Sequence, residues 1–150
     1  MSANTFDRDI PFEECTNFRD LGGDVTVDGR RVRWRVLFRS GQLHGMTEGD
    51  VQTAGVDLGI KTVIDLRRPD EIAQQGIGPL GDPLFDHHRV SLRPDEDESV
   101  IQERLRALTR IADHYAPWIG DPIFGSGVAQ VLSAIIRPSA LPALFHCNAG

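Results

Sequence analysis

The apolar positions of this chain fall into short runs cut by glycine, proline and charge, and the spacing inside each run predicts its element. Lys61-Thr-Val-Ile-Asp-Leu66 is a β-branched run and predicts a buried strand. Val25 to Val27 and Val32 to Phe38 alternate around Asp28-Gly29, a pair that predicts a hairpin. Phe85 to Leu92 predicts another strand, although His87 and His88 suit it poorly. Thr47 with Asp50 three residues on predicts a capped helix reaching about Leu58 and stopping at Gly59, weakened by Gly49 and Gly55. Pro69-Asp-Glu-Ile72 predicts a short helical turn, and Gly76 to Pro83 a loop. Ile101, Leu105, Leu108, Ala112 and Tyr115 recur every four or three residues, one face of a helix that Pro117 ends. The acids Asp95-Glu-Asp-Glu98 fit its N-terminus better than a metal site. A last helix runs from about Gly125 to Ile136, with Phe124, Val128, Val131, Leu132 and Ile135 on its apolar face. Pro138 stops it, and Pro142 opens a final strand, Ala143-Leu-Phe145.

Helices alternating with β-branched strands predict an α/β fold with at least some parallel pairing. No repeat or linker divides the chain, so residues 1–150 are expected to form a single domain after a loose segment, Met1 to Glu13.

Composition narrows the function classes. The chain is 40% hydrophobic and 25% charged, with a net charge of −6 and a pI near 5.3. That balance argues against nucleic acid as a partner, which would require a basic face. A small phosphate ligand remains compatible, since a cleft can oppose the global charge. No run of about 18 apolar residues predicts a membrane span. Met1 to Glu14 lacks the apolar centre of a signal peptide, so a cytoplasmic location is expected, with export by a leaderless route left open. Cys15 and Cys147 are read as free thiols rather than a pair.

The chemistry concentrates at Phe145-His-Cys-Asn-Ala-Gly150. A loop leaving a buried strand turns several backbone N–H groups towards one point, which makes an anion site. A thiol at that point is favoured as thiolate. Gly150 permits backbone angles or a close approach that a side chain would forbid. A thiolate beside an oxyanion site suits attack by sulfur on the phosphorus of a phosphate ester.

His146-Cys-x-x-Gly150 resembles the first half of the cysteine-phosphatase signature, in which an arginine stands six residues after the cysteine. Asn17-Phe-Arg-Asp-Leu-Gly-Gly23, Phe38-Arg-Ser-Gly-Gln-Leu43 and Val63-Ile-Asp-Leu-Arg-Arg-Pro-Asp-Glu-Ile72 resemble, in the same order, a bacterial tyrosine-phosphatase branch with dual-specificity and phosphoinositide-active members. The resemblance implies a central, mostly parallel sheet flanked by helices, with the C-terminal part missing. It further implies a phosphocysteine on Cys147 and phosphate held by the loop residues His146, Asn148, Ala149 and Gly150. His146 would support the loop through hydrogen bonds. No metal or organic cofactor is implied. The implied partner is a phosphorylated protein or a phosphoinositide; oligomeric state is left open.

The signature arginine would fall three residues beyond Gly150. The chain as written is therefore expected to be an inactive, incomplete and poorly folded phosphatase, its last strand covered on only part of its surface. Asp65 is a candidate general acid, or alternatively a cap of the Arg67 to Ile72 turn. Arg19, Arg39 and Arg67 would lend positive potential to the mouth or hold loops by ion pairing, with Asp20 as partner. His87 and His88 are not expected to bind metal, since neighbours on a strand point to opposite faces. The competing readings are a non-catalytic phosphate-binding relative and a sulfur-transfer or redox enzyme.

Overall fold

The computed structural model describes residues 7–81, 83–92, 98–107 and 116–150. Five strands form one sheet: β1 (Arg19–Asp20), β2 (Leu37–Ser40), β3 (Thr62–Asp65), β4 (Asp86–Arg89) and β5 (Ala143–His146). Their order is β1-β2-β5-β3-β4, with β1 antiparallel to β2 and all other pairs parallel. The last strand in sequence is thus the middle one in space. Among the described residues the α-helices are α1 (Glu48–Gln52), α2 (Pro69–Gln75), α3 (Glu98–Ala107) and α4 (Pro122–Ile135).

Alternation along the strands divides the core between the two faces. Phe38, Leu144 and Val63 are register partners across β2, β5 and β3, and they pack with Phe18, Leu43, Met46, Ala54, Leu58, Ile60, Leu80 and Phe85. Ile64 and Phe145, one residue on, face the other way against Val131, Ala134 and Ile135 of α4. Burying both faces of the central strands is what a parallel sheet requires. Within β5 only Phe145 is partly exposed, so the expected partial covering is confined to that residue. Leu132, expected on the inner face of α4, is 57% exposed, and Gly127 and Ala134 take the buried positions.

The predicted α1 cap is present. Thr47 accepts from the Asp50 N–H at 3.1 Å, and Asp50 accepts from the Thr47 N–H at 3.3 Å. Asp50 is 3% exposed and also accepts the N–H groups of Glu13 and Glu14, at 2.8 and 3.0 Å. One carboxylate therefore starts a helix and ties down the N-terminal segment. Asp50→Ala strands three donors and is expected to lower stability by about 2–3 kcal/mol, read by urea unfolding; a loss below about 1 kcal/mol would contradict this account. Beyond Gln52 the helix widens into a π-helical stretch, Thr53–Asp57, closed by Leu58 N–H on Thr53 O at 2.9 Å.

The predicted hairpin is reduced to its turn. A single bridge joins Val25 and Arg31, and Val25 and Val27 are exposed. Arg35 has φ +58°, and its N–H donates to buried Asp20 at 2.8 Å. That reversal starts the strand at Leu37 rather than Val32. The predicted strand at Phe85 narrows to Asp86–Arg89, at the sheet edge. The acids Asp95 to Asp97 and the helix positions Leu108, Ala112 and Tyr115 lie outside the described residues.

Candidate active site

Parallel pairing on both sides of β5 delivers Cys147 to the carboxyl edge of the sheet, where α/β folds place their ligands. The loop after β5 is held against the end of β2. Gln42 N–H donates to Asn148 O at 3.2 Å, and Asn17 Nδ2 donates to Ala149 O and Gly150 O at 3.2 and 3.3 Å. Arg19 Nη2 donates to Gly150 O at 2.7 Å. Gly41 and Gly150 meet here. A Cβ on Gly150 (φ +76°) would lie 2.7 Å from Gly41 N, and one on Gly41 would lie 2.6 Å from Thr16 Oγ1, 3.1 Å from Thr16 O and 3.3 Å from Asn148 O. Both positions therefore need glycine for backbone to approach backbone. These contacts give the first two sequence blocks their physical meaning: they form the wall against which the cysteine loop rests.

Two donors converge on the sulfur. Arg39 Nη2 lies 2.8 Å from Cys147 Sγ, and Gly150 N–H lies 3.3 Å from it. Arg39 Nη1 is buried and has no partner among the described residues. Asn148 Nδ2 donates to Glu71 Oε1, and Asn148 Oδ1 is buried without a hydrogen-bond partner among the described residues. Glu71 also accepts from Arg68 N–H at 2.8 Å, so α2 and the cysteine loop share one carboxylate. Neither the Glu71 contact nor the Arg39 contact with sulfur was anticipated from the sequence.

Behind the loop lies a buried polar cluster. The register sets Ser40, His146 and Asp65 side by side on adjacent strands. Asp65 and Arg67 are both fully buried, and their side chains form a fork-on-carboxylate pair, with Nη2 to Oδ2 at 2.7 Å and Nε to Oδ1 at 2.9 Å. Arg67 also donates to Gly76 O and Gln75 Oε1, closing the end of α2. Burial pushes the Asp65 carboxyl up, but the Arg67 hydrogen bonds and nearby His146 and Arg67 charge outweigh it, and the net direction is down. A fully enclosed, doubly paired carboxylate held ionised does not fit a proton donor to substrate. Asp65, read from the sequence as a general acid or a cap of the following turn, accepts Arg67 N–H on Oδ1 at 3.0 Å.

His146 is likewise fully buried. Burial, acting first, drives its imidazole down to about 4, so it is neutral near pH 7. Its Nε2 stands 3.6 Å from Asp65 Oδ2, too far for a hydrogen bond, and neither ring nitrogen has a hydrogen-bond partner among the described residues. His146 O accepts Leu66 N–H at 2.9 Å, which ties the end of β5 to the chain leaving β3.

The other expected residues sort clearly. Asp20 accepts the backbone N–H groups of Gly22 and Arg35, both at 2.8 Å. Cys15 and Cys147 are both free, and burial pushes the Cys15 thiol up to about 11. His87 and His88 diverge as alternation requires, but His87 joins Asp65 and His146, with one ligand atom from each within 4.8 Å of the others. The Arg67 fork already takes the Asp65 oxygens, so a dication there would face a buried guanidinium at contact distance.

A model of the tyrosine phosphatase family matches residues 10–150. Over 149 residues the chain is 40% identical to a protein of Cupriavidus necator provisionally named a tyrosine-protein phosphatase, covering 95% of this chain and 52% of that one. Over 114 residues it is 32% identical to a tyrosine-protein phosphatase of Nostoc commune, covering 75% of this chain and 37% of the relative. The chain thus spans about half or less of these curated relatives. A solved structure, the core catalytic domain of the PP-IP phosphatase SIW14 from S. cerevisiae in complex with citrate, aligns with a TM-score of 0.38 and 15% identity, over 76% of this chain and 52% of that one. Among the described residues no helix is long and apolar enough to cross a membrane.

Proposed function

Since the chain belongs to the tyrosine phosphatase family, we propose that Cys147 takes the phosphoryl group from a phosphate monoester, with phosphotyrosine as the principal substrate class. Phosphoserine, phosphothreonine and phosphoinositide esters are further candidates. The observation that carries this reading is the convergence of a guanidinium and a loop N–H on one sulfur at the sheet's carboxyl edge. Sγ attacks phosphorus opposite the ester oxygen. The S–P bond forms as the P–O ester bond breaks, and the departing oxygen keeps the electron pair and takes a proton from water or a nearby acid. Water then cleaves the S–P bond, returning the thiol and releasing phosphate. Catalysis of this kind is mainly electrostatic, because charge spreads over the oxygens of the transferring group.

In this reading Asp65 and Arg67 position the loop, and His146 fills the space beneath it as a neutral ring. The family's signature arginine stands six residues after the cysteine, a position these 150 residues do not include. Loss of one such oxyanion donor costs roughly 3 kcal/mol, about a hundredfold in rate. The 150-residue polypeptide alone is therefore expected to hydrolyse p-nitrophenyl phosphate at least about a hundredfold more slowly than a polypeptide extended through an arginine at that position. Comparable rates would refute this. In the extended polypeptide, Cys147→Ser should retain phosphate binding and lose turnover, and acid quenching should trap a phosphate on Cys147. Turnover by the serine variant would overturn the mechanism.

A further inference from the structure

Arg39 is not the signature arginine, which would fall six residues after Cys147 in sequence. It lies on β2, opposite Phe145 of β5, and alternation puts Phe145 and Cys147 on the same side of the chain. The Arg39 side chain therefore reaches along that face to the sulfur two residues further on. Only half of its fork is used: Nη2 meets Sγ at 2.8 Å, while Nη1 is buried with no acceptor among the described residues. A buried guanidinium donor with nothing to donate to is unfavourable, and such groups are rare unless an acceptor arrives from outside. Adjacent Nη groups match two acceptors side by side, as in the paired contacts arginine makes to phosphate.

We propose that Arg39 is a substrate-binding residue: one Nη group holds the sulfur, and the other receives a non-bridging oxygen of the phosphoryl group seated beside it. This deepens the phosphatase reading and rests on it. As sulfur bonds to phosphorus its negative charge passes to the phosphoryl oxygens, and a fork anchored at the sulfur follows that charge without leaving its place. Arg19 on the neighbouring strand does not share the role, because its Nη groups are spent on Asn17 O and Gly150 O.

The test is protection of Cys147 from iodoacetamide by inorganic phosphate, read by mass spectrometry of its peptide in the polypeptide extended through the signature arginine, with buried Cys15 as the internal control for folding. Phosphate should slow alkylation of Cys147 in the parent chain. Arg39→Met should raise the phosphate concentration for half-protection by about tenfold or more, the loss expected for a charge-assisted contact. Arg39→Lys should fall between, since it keeps the charge and loses the fork. Should Arg39→Met expose Cys15, Arg39→Gln replaces it for the same measurement. Equal protection in parent and variant would overturn the role of Arg39 while leaving the phosphatase reading intact. No protection in the parent chain would overturn both, and that outcome is distinguishable from the first.

Discussion

Replacing Arg67 by methionine is expected to lower the folding stability by about 3–5 kcal/mol, the cost of leaving one member of a buried ion pair uncompensated. The side chains of Arg67 and Asp65 are both fully inaccessible to solvent. Without the fork, the carboxylate keeps a single backbone donor, Arg67 N–H. Gly76 O and Gln75 Oε1 lose their partner as well, so the far end of α2 loosens with the centre of the sheet. Arg67→Lys should recover little, because an ammonium cannot span both carboxylate oxygens and reach Gly76 O. Arg67→Met combined with Asp65→Asn should cost less than the two single changes added together, as it removes both charges and keeps an oxygen for Arg67 N–H. Urea unfolding of the parent and the four variants decides the matter. A single-variant loss below about 1 kcal/mol would mean that water reaches the pair and that it contributes no more than a surface contact.

What could be read from the chain was mostly local. Thr47 and Asp50 are three residues apart, and their capping exchange depends on little else. Thr62 to Asp65 had to be a buried strand, since four residues of that kind find no other home. Cys147 stands out because a buried strand leads into the thiol and a glycine follows three residues on. What escaped reading depends on pairing between distant strands. Arg39 and Cys147 are 108 residues apart, and they meet only because β5 inserts between β2 and β3 in one register. The same register sets Asp65 beside His146, a neighbour that no local pattern of the sequence points to. Val32 to Val36 alternates well enough for a strand, yet Asp20 takes the Arg35 N–H and the left-handed turn at Arg35 prevails over the alternation. His87 could not be linked to Asp65 before the order of β3 and β4 was known.

Acid should unfold this protein earlier than its carboxylates alone would require, and His146 is the reason. Burial holds the folded imidazole at about 4, whereas an unfolded histidine titrates near 6.5. Between those values the unfolded chain binds a proton that the folded chain refuses. The stabilisation is therefore complete above about pH 6.5, shrinks as the pH falls, and is gone once the pH passes the folded value. A gap of this size corresponds to about 3 kcal/mol, lost at up to about 1.4 kcal/mol per pH unit. Burial also lowers His87, which adds a loss of the same sign. Asp65, with its carboxyl also lowered, contributes stability above the ordinary carboxylate range that is lost only in stronger acid. The His146 window therefore opens first. Urea unfolding free energies measured from about pH 7 to about pH 4 should decline steeply in the parent chain and much less in His146→Gln, whose amide takes up no proton. Since a buried substitution can itself disturb the fold, the parent protein carries a second readout, the NMR titration of the His146 ring. A ring that titrates near 6.5 in the folded chain, or parallel curves for parent and variant, would show that water reaches His146 and that the loop carrying Cys147 rests on something other than a dry, neutral support.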